Sequence, residues 1–483
     1  MAVRDVPHRP PSDDAATHAV NGHADAQSPQ EARYRPLPTG MHGLDPATVK
    51  RDQCERLQSA LIELIAHKGY PAVRIVDLAK LAHVSPPTFY GLYSDKEDLL
   101  LNAYDEIAER TVRTVLKAYA ESPKGQQLLR AMSAFAELAV VEPQPISLYV
   151  LGAFGAGSSM LERRTQTLKT FEDRIRQSRD GKPVRETVDF TVKFILGGIR
   201  EVTTSRLRNG RESELPALAG ELTSWAGFYP RRLPRELALT SAEPDPDDSE
   251  ETDLQPSERA RRAEGRLPSG RSDLPRQFIV KSQQERIVDA TAAIVAEKGL
   301  AALTIPEIAR RANVSYQTFY GIYPSKHDAF MGAQKVGMHQ ALRITVEAYD
   351  AHKDDWPRAV AASLSALINY LASEPAHAHL SVVDTFAASP ETIEIRNASM
   401  DAFAAYLLQG QHLAPELRAV PSVTAEAVAG GVWQVLHHYI QSGRVQELPT
   451  VTPQLIYMAL TPYVGTAEAV RASLAGDDQA AST

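Results

Sequence analysis

Apolar positions along this chain fall at helical spacing. Leu57, Leu61, Leu64 and Ile65 mark one face of a first segment, and Ile287, Ile294 and Val295 mark one of a later segment. Each run ends at a Lys-Gly pair, Lys68-Gly69 and Lys298-Gly299, which is a helix stop signal. The stretches that follow, "RIVDLAKLAHVS" and "TIPEIARRANVS", predict a second short helix. In it Ile75, Leu78, Ala79 and Ala82, or Ile305, Ile308, Ala309 and Ala312, share one face. Thr304 with Glu307 reads as a capping box, with Pro306 harmless in the first turn. Asn313 suits the left-handed backbone of a tight turn, and His83 tolerates it less well. Ser85 and Ser315 then cap a third helix, in which Pro86 takes the permitted first position. Strand-like alternation is nearly absent, so the expected fold class is all-α.

The two segments are copies of each other. From Cys54 to Lys96, aligned without a gap to Gln284 to Lys326, there are 18 identities in 43 positions. Later landmarks recur as well: Glu142-Pro143 with Glu374-Pro375, Gly197-Gly198 with Gly430-Gly431, and "ELP" at Glu214 and at Glu447. The offset drifts only from 230 to 233, so a whole two-part domain is duplicated, with a period far longer than that of a repeat array. The expected organisation is a disordered arm (1–48), a first headpiece (49–100) and a first helical body (101–230). A charged, Pro-rich linker (231–275) precedes the second headpiece (276–331), the second body (332–468) and a disordered tail (469–483).

Composition narrows the class. The chain has 483 residues and 43% hydrophobic content, enough for more than one core. No apolar run is long enough to span a membrane and the N-terminus lacks an apolar signal core, so a cytoplasmic location with no membrane partner is expected. The single cysteine, Cys54, excludes an internal disulfide and a thiolate metal cluster. A net charge of -8 argues only mildly against nucleic acid, because a small basic surface is enough to dock on it.

Two short helices joined by a tight turn, the second opening with polar residues, form the layout of a helix-turn-helix. The order "IxxxAxxAxVSxxTFYxxYxxK", present from Ile75 to Lys96 and from Ile305 to Lys326, resembles the DNA-binding headpiece of TetR-type transcriptional regulators. That resemblance implies a headpiece in the major groove and a larger helical body that binds a small molecule and dimerises. It implies DNA-binding roles for Arg74, Ser85, Pro86, Pro87, Thr88, Tyr90, Gly91, Tyr93 and Lys96. In the second copy the same roles fall to Thr304, Ser315, Tyr316, Gln317, Thr318, Tyr320, Gly321, Tyr323 and Lys326. Thr88, Tyr90 and Lys96, with Thr318, Tyr320 and Lys326, would hold phosphates, while Phe89 and Phe319 pack inside. Gly91 and Gly321 stand where the family is usually bulkier, which fits either a close approach of backbone to DNA or a packing demand.

Two such units on one chain imply a built-in pseudo-dimer, with the seam at the last two helices of each half and at Gly197, Gly198, Gly430 and Gly431. The copies differ where bases are contacted: Pro86 and Pro87 offer only apolar contact, whereas Gln317 can pair with adenine, so an asymmetric operator is expected. Residues 49 to 117 carry ten charges of each sign, while 276 to 343 carry nine basic and five acidic residues, which assigns more of the salt-dependent affinity to the second headpiece. Candidate pocket residues in the bodies are Phe135, Tyr149, Phe154, Phe194, Tyr370, Phe386, Phe403 and Trp433. By resemblance, the protein is a repressor released by a small hydrophobic effector, of lipid, acyl or steroid type, and further self-association is open. No catalytic residue, metal or cofactor is implied. Competing readings are a helical ligand-binding protein, or a metal-dependent enzyme built on His377, His379, His437, His438 and Asp384, that keeps the headpiece as scaffold. Those histidines lack the spacing that puts two ligands on one helical face.

Overall fold

The computed structural model describes residues 45–152, 186–230, 233–237, 276–385, 390–413 and 420–475, together with Tyr34, Ala156 and residues 159–170 apart from 161 and 168. The described residues form helices joined by short turns, and none of them lies in a strand. The first half runs α1 (Pro46–Lys68), α2 (Ile75–Leu81), α3 (Pro86–Leu92), α4 (Lys96–Ala120), α5 (Gln127–Val141), α6 (Pro143–Leu151), α7 (Glu186–Arg208) and α8 (Leu215–Ala226). In the second, α9 (Arg276–Lys298), α10 (Ile305–Arg311), α11 (Tyr316–Ile322), α12 (Lys326–Asp350) and α13 (Trp356–Ser373) come first. They are followed by α14 (Pro375–Val382), α15 (Pro390–Leu413), α16 (Thr424–Gln441), α17 (Thr452–Val464) and α18 (Thr466–Ala475). No described helix is long and apolar enough to cross a membrane.

Each headpiece is a small bundle closed around one phenylalanine. Phe89 is fully buried among Leu57, Leu61, Leu78 and Leu99, and Phe319 among Ile287, Ile308 and Phe330. Gly69 and Gly299 stop the first helices at φ of 73° and 75°, a backbone that a side chain would strain.

The bodies share a single core. Phe194, Trp225 and Tyr229 of the first half pack in one cluster with Val428, Leu455 and Tyr463 of the second. At its centre α7 crosses α16 glycine to glycine. A Cβ on Gly197 would come within 3.0 Å of the Gly430 carbonyl and Gln434, and a Cβ on Gly430 within 3.0 Å of the Gly197 carbonyl and Glu201. Gln434 and Glu201 are themselves equivalent, at the offset of 233 that also relates the glycines. The contact is therefore reciprocal, as in a two-fold dimer interface, but within one chain. Cross-seam bonds reinforce it: Arg206 Nη1 donates to Glu426 Oε2 at 2.8 Å, and the Tyr229 hydroxyl to the Met458 carbonyl at 3.1 Å.

Five expected domain boundaries differ. Helices α4 and α12 run unbroken through the expected headpiece-body junctions after residues 100 and 331, because neither contains a proline and the glycines of α12 stay helical. Residues 469–475 are not tail: α18 continues through them, with Ala469 and Ser473 buried. The start of the linker is docked, since Leu233 and Leu237 are buried in the shared core and Gln454 Nε2 donates to the Leu237 carbonyl at 3.1 Å. In the arm, Pro46 already opens α1, and the buried Tyr34 donates to Glu63 Oε2 at 2.8 Å. The rest of the expected arm, linker and tail lies outside the described residues.

Candidate nucleic-acid interface

The turn that aims each third helix is built the same way twice. His83 and Asn313 hold φ of 51° and 52°, the left-handed position after α2 and α10. Val84 N then donates to the Ala79 carbonyl at 2.9 Å, and Val314 N to the Ala309 carbonyl at 3.0 Å, which closes a Schellman motif in each copy. Histidine and asparagine are among the few residues that enter this region regularly. Arg286 Nη1 reaches over from α9 to the carbonyls of Ala312 and Asn313, at 3.0 and 3.1 Å. Arg56 does the same from α1 to Ala82 and His83. The angle between the two short helices is thus fixed by a guanidinium as well as by the turn.

Ser85 accepts from Thr88 N at 3.2 Å and Ser315 from Thr318 N at 3.0 Å, so both caps form. Thr304 accepts from Glu307 N at 3.4 Å, but the Glu307 carboxylate turns to Lys298 and Arg310, leaving the capping box half formed. Those two cations hold the Glu307 carboxyl down at about 2. In the first copy Arg74 is exposed and tied to Asp77, whose carboxyl Arg74 and Lys68 hold well below the usual range.

The exposed face of α3 then consists of Ser85, Pro86, Pro87, Tyr90 and Gly91, with Thr88 half-buried, and that of α11 of Ser315, Tyr316, Gln317, Tyr320 and Gly321, with Thr318 half-buried. Tyr90 is 59% exposed and stands edge-on to the buried Phe89 ring at 5.4 Å, while Tyr320, 56% exposed, does so to Phe319 at 5.6 Å. One ring anchors and its neighbour projects. Around Gly91 and Gly321 an added Cβ would meet nothing within 4 Å, so no packing within the chain requires glycine there.

Two pairs of expected contact residues point elsewhere. Tyr93 and Tyr323 are buried in the headpiece cores, and the Tyr323 hydroxyl accepts from Gln284 at 3.3 Å. Their rings complete the packing around Phe89 and Phe319 and are not part of the exposed face. The Lys96 ammonium donates to the Val73 carbonyl at 3.1 Å and lies over the Tyr70 ring, and that of Lys326 donates to the Leu303 carbonyl at 2.9 Å. Each lysine ties the start of the long helix to the preceding loop.

In the bodies, Phe135 and Tyr149 line a cavity of about 380 Å³, and Tyr370, Phe403 and Trp433 one of about 100 Å³. Phe194 lines neither cavity, because it fills the seam against Gly431 and Trp225. Phe154 and Phe386 lie outside the described residues. Among the candidate metal ligands, His377 is hydrogen-bonded to Asp289 at 3.2 Å and His379 to Asp384 at 2.8 Å, which gives each a structural partner of its own. Sequence reading missed Arg56 and Arg286, although their identity at the 230 offset marked them.

A capped short helix presented by a clamped left-handed turn, twice over, defines a helix-turn-helix DNA-binding protein. Residues 57–103 and 287–330 each match the model of bacterial regulatory proteins, tetR family. The chain is a tandem TetR-type transcriptional regulator. It is also similar to a solved TetR family transcription regulator from Marinobacter aquaeolei VT8, at 17% identity and a TM-score of 0.30, over 37% of this chain and 97% of that one. No curated protein matches.

Proposed function

We propose that this protein is a repressor of the cytoplasm and nucleoid that reads one asymmetric operator with two unequal headpieces, and that a small hydrophobic effector bound in the bodies releases it. The observation that carries this reading is the pair of exposed faces, alike at Thr-Phe-Tyr-Gly and different at the two positions before it. Pro86 and Pro87 present apolar surface to a groove, whereas Gln317 presents an amide that matches adenine. Retention of the exposed tyrosine in both copies speaks against a headpiece kept as scaffold. A second chain is not needed, because the bodies that carry the two headpieces share one core. Recovery of bound genomic fragments, with the mass of the complex measured on one fragment, tests this: one chain on one site without two-fold symmetry is expected. A palindromic site occupied by two chains would overturn it.

Unequal charge predicts unequal salt dependence. Each phosphate neutralised contributes about 0.9 to the slope of log affinity against log salt. Disabling the more basic second headpiece with Tyr320→Ala should flatten that slope more than Tyr90→Ala does. Equal slopes would count against the assignment.

The glycines give a test with opposed signs. Alanine at Gly91 or Gly321, inside a helix and with open space around it, should raise stability by roughly 0.5–1 kcal/mol per site. The same methyl groups would stand between helix and groove, so operator affinity should fall several-fold. Denaturation and operator titration on the same samples measure both, and unchanged affinity would show that the backbone does not approach DNA closely there.

A further inference from the structure

The duplication supplies an internal control for the two cavities. The first, of about 380 Å³, is walled by apolar residues such as Val115, Leu128, Met132 and Leu196, and two guanidinium groups, Arg164 and Arg200, reach it. Two more polar residues line it: the Thr111 hydroxyl is buried and has no hydrogen-bond partner among the described residues, and the Tyr104 hydroxyl is buried with only Thr167 beside it, too poorly placed for a well-formed hydrogen bond. Buried polar atoms left without partners cost free energy and are rare unless something else satisfies them.

At the four equivalent positions of the second half, three residues differ and the fourth, an arginine in both, has a different partner. Tyr104 corresponds to Gln334, whose amide donates to the Leu380 carbonyl at 2.7 Å and to Thr385 at 3.3 Å. Thr111 corresponds to Ala341, and Arg200 to Trp433, whose ring lines the smaller cavity. Arg164 corresponds to Arg396, which is neutralised by Glu201 from across the seam. The seam residue equivalent to Glu201 is Gln434, which accepts from Arg200 with an amide and brings no charge. What remains is a cavity of about 100 Å³ with two unpartnered atoms, His377 Nδ1 and Ser381 Oγ, room enough for ordered water.

We propose that the first cavity alone holds the effector, and that the effector is an organic anion with an apolar tail, its head held by Arg200 and Arg164 beside the hydroxyls of Tyr104 and Thr111. This rests on the reading of the bodies as effector-binding and names the ligand's chemistry. Electrostatics agree with the geometry. Burial, and then the neighbouring Arg396, push the Arg164 guanidinium below its ordinary range, a cost that an incoming anion relieves. Burial, Arg200 and Arg164 also push the His437 imidazole down to about 3, so it stays neutral and adds no competing charge. The position of the head links ligand to DNA. Tyr104 and Thr111 lie on α4, which continues without a break to Lys96 at the headpiece, and Gln434 belongs to the other half. An anion that takes N–H groups of Arg200 therefore competes with a bond across the seam, which is a route for coupling the two sites.

Titration calorimetry on the full chain with dodecanoate, dodecyl phosphate and dodecanol tests this, alongside release of operator DNA. One molecule per chain is expected, with at least one anion bound about tenfold or more tighter than the alcohol, a difference of about 1.4 kcal/mol. The stronger of the two anions identifies the head group. Gln434→Glu, which copies into the first cavity the carboxylate that serves the second, should abolish the anion preference. Arg200→Gln should do the same, and a melting curve of each variant verifies folding. Equal binding of dodecanol and both anions would overturn the anion head and leave an effector cavity standing. A preference that survives both variants would overturn the assigned location, and two molecules per chain would overturn the single cavity. Failure of all three probes to bind or to release DNA would overturn the inference together with the effector reading of the bodies.

Discussion

Replacing Glu201 with alanine is expected to cost about 3–5 kcal/mol, among the largest effects of any single change in the chain. Glu201 and Arg396 are 7% and 3% exposed, and Arg396 Nη1 donates to Glu201 Oε1 at 2.7 Å, with a second bond between Nη2 and Oε2. The guanidinium also lies over the Trp433 ring at 4.8 Å. Removing the carboxylate strands a full positive charge beneath the shared core, where water cannot repay its lost hydration. The double variant Glu201→Met with Arg396→Met removes both charges and should be near neutral, which separates the cost of a stranded ion from the worth of the pair. Acid should reproduce part of the loss. Burial pushes the Glu201 carboxyl up, but Arg396 outweighs it, so the group sits below its ordinary 4.5 when folded. A depressed carboxyl contributes stability that is present above about pH 4.5 and disappears as pH falls through the folded value. Denaturation at stepped pH should show a smaller fall in the double variant than in the parent, since Asp77 and Glu307 remain depressed in both. An alanine variant within about 1 kcal/mol of the parent would mean the pair is not buried as described.

The parts of this molecule that were legible in its sequence are those encoded by neighbours. Serine caps, Lys-Gly stops and the left-handed His83 and Asn313 follow from residue chemistry within one turn, and the second copy repeats each of them. The seam glycines were legible for a related reason, since two adjacent glycines inside a helix lower its propensity and call for a packing explanation. Direction was harder to read. Tyr90 and Tyr93 are the same residue type three positions apart, yet one projects at 59% exposure and the other packs at 7%. Spacing alone does not say which face of a seven-residue helix meets the body of the headpiece. Lys96 and Lys326, which the resemblance assigns to phosphates, donate to carbonyls 23 residues earlier, a partnership that no local pattern announces. Least legible were the polar groups of the bodies. The partners Glu201 and Arg396 stand 195 residues apart in different halves, and no local pattern joins them. The offset between copies, carried on from Glu142-Pro143, relates Arg164 to Arg396 as equivalents but does not point to the contact with Glu201.

Alanine at both Gly197 and Gly430 should cost roughly 1–3 kcal/mol per site and disturb operator binding as well as folding. At each position the new methyl carbon would come within 3.0 Å of a backbone carbonyl on the opposite helix, and backbone cannot swing aside as a side chain can. Relief requires α7 and α16 to separate, and these helices carry the Arg206–Glu426 and Arg200–Gln434 bonds along with the glycine contact. Separation would therefore loosen several interactions together, so the two substitutions should not add simply. The same chemical change at Gly91 and Gly321, where nothing lies within 4 Å, should instead stabilise the fold. Opposite signs for one substitution at two kinds of helical glycine follow from space alone, since the propensity gain is common to both. The seam also fixes how far apart α3 and α11 are held, because α4 and α12 run unbroken from the bodies into the headpieces. A seam forced open should shift that separation and weaken capture of a single operator fragment even where a headpiece remains intact. Melting curves and operator titrations on the Gly197→Ala, Gly430→Ala and double variants would measure both effects. A double variant as stable as the parent would show that α7 and α16 do not meet at their glycines.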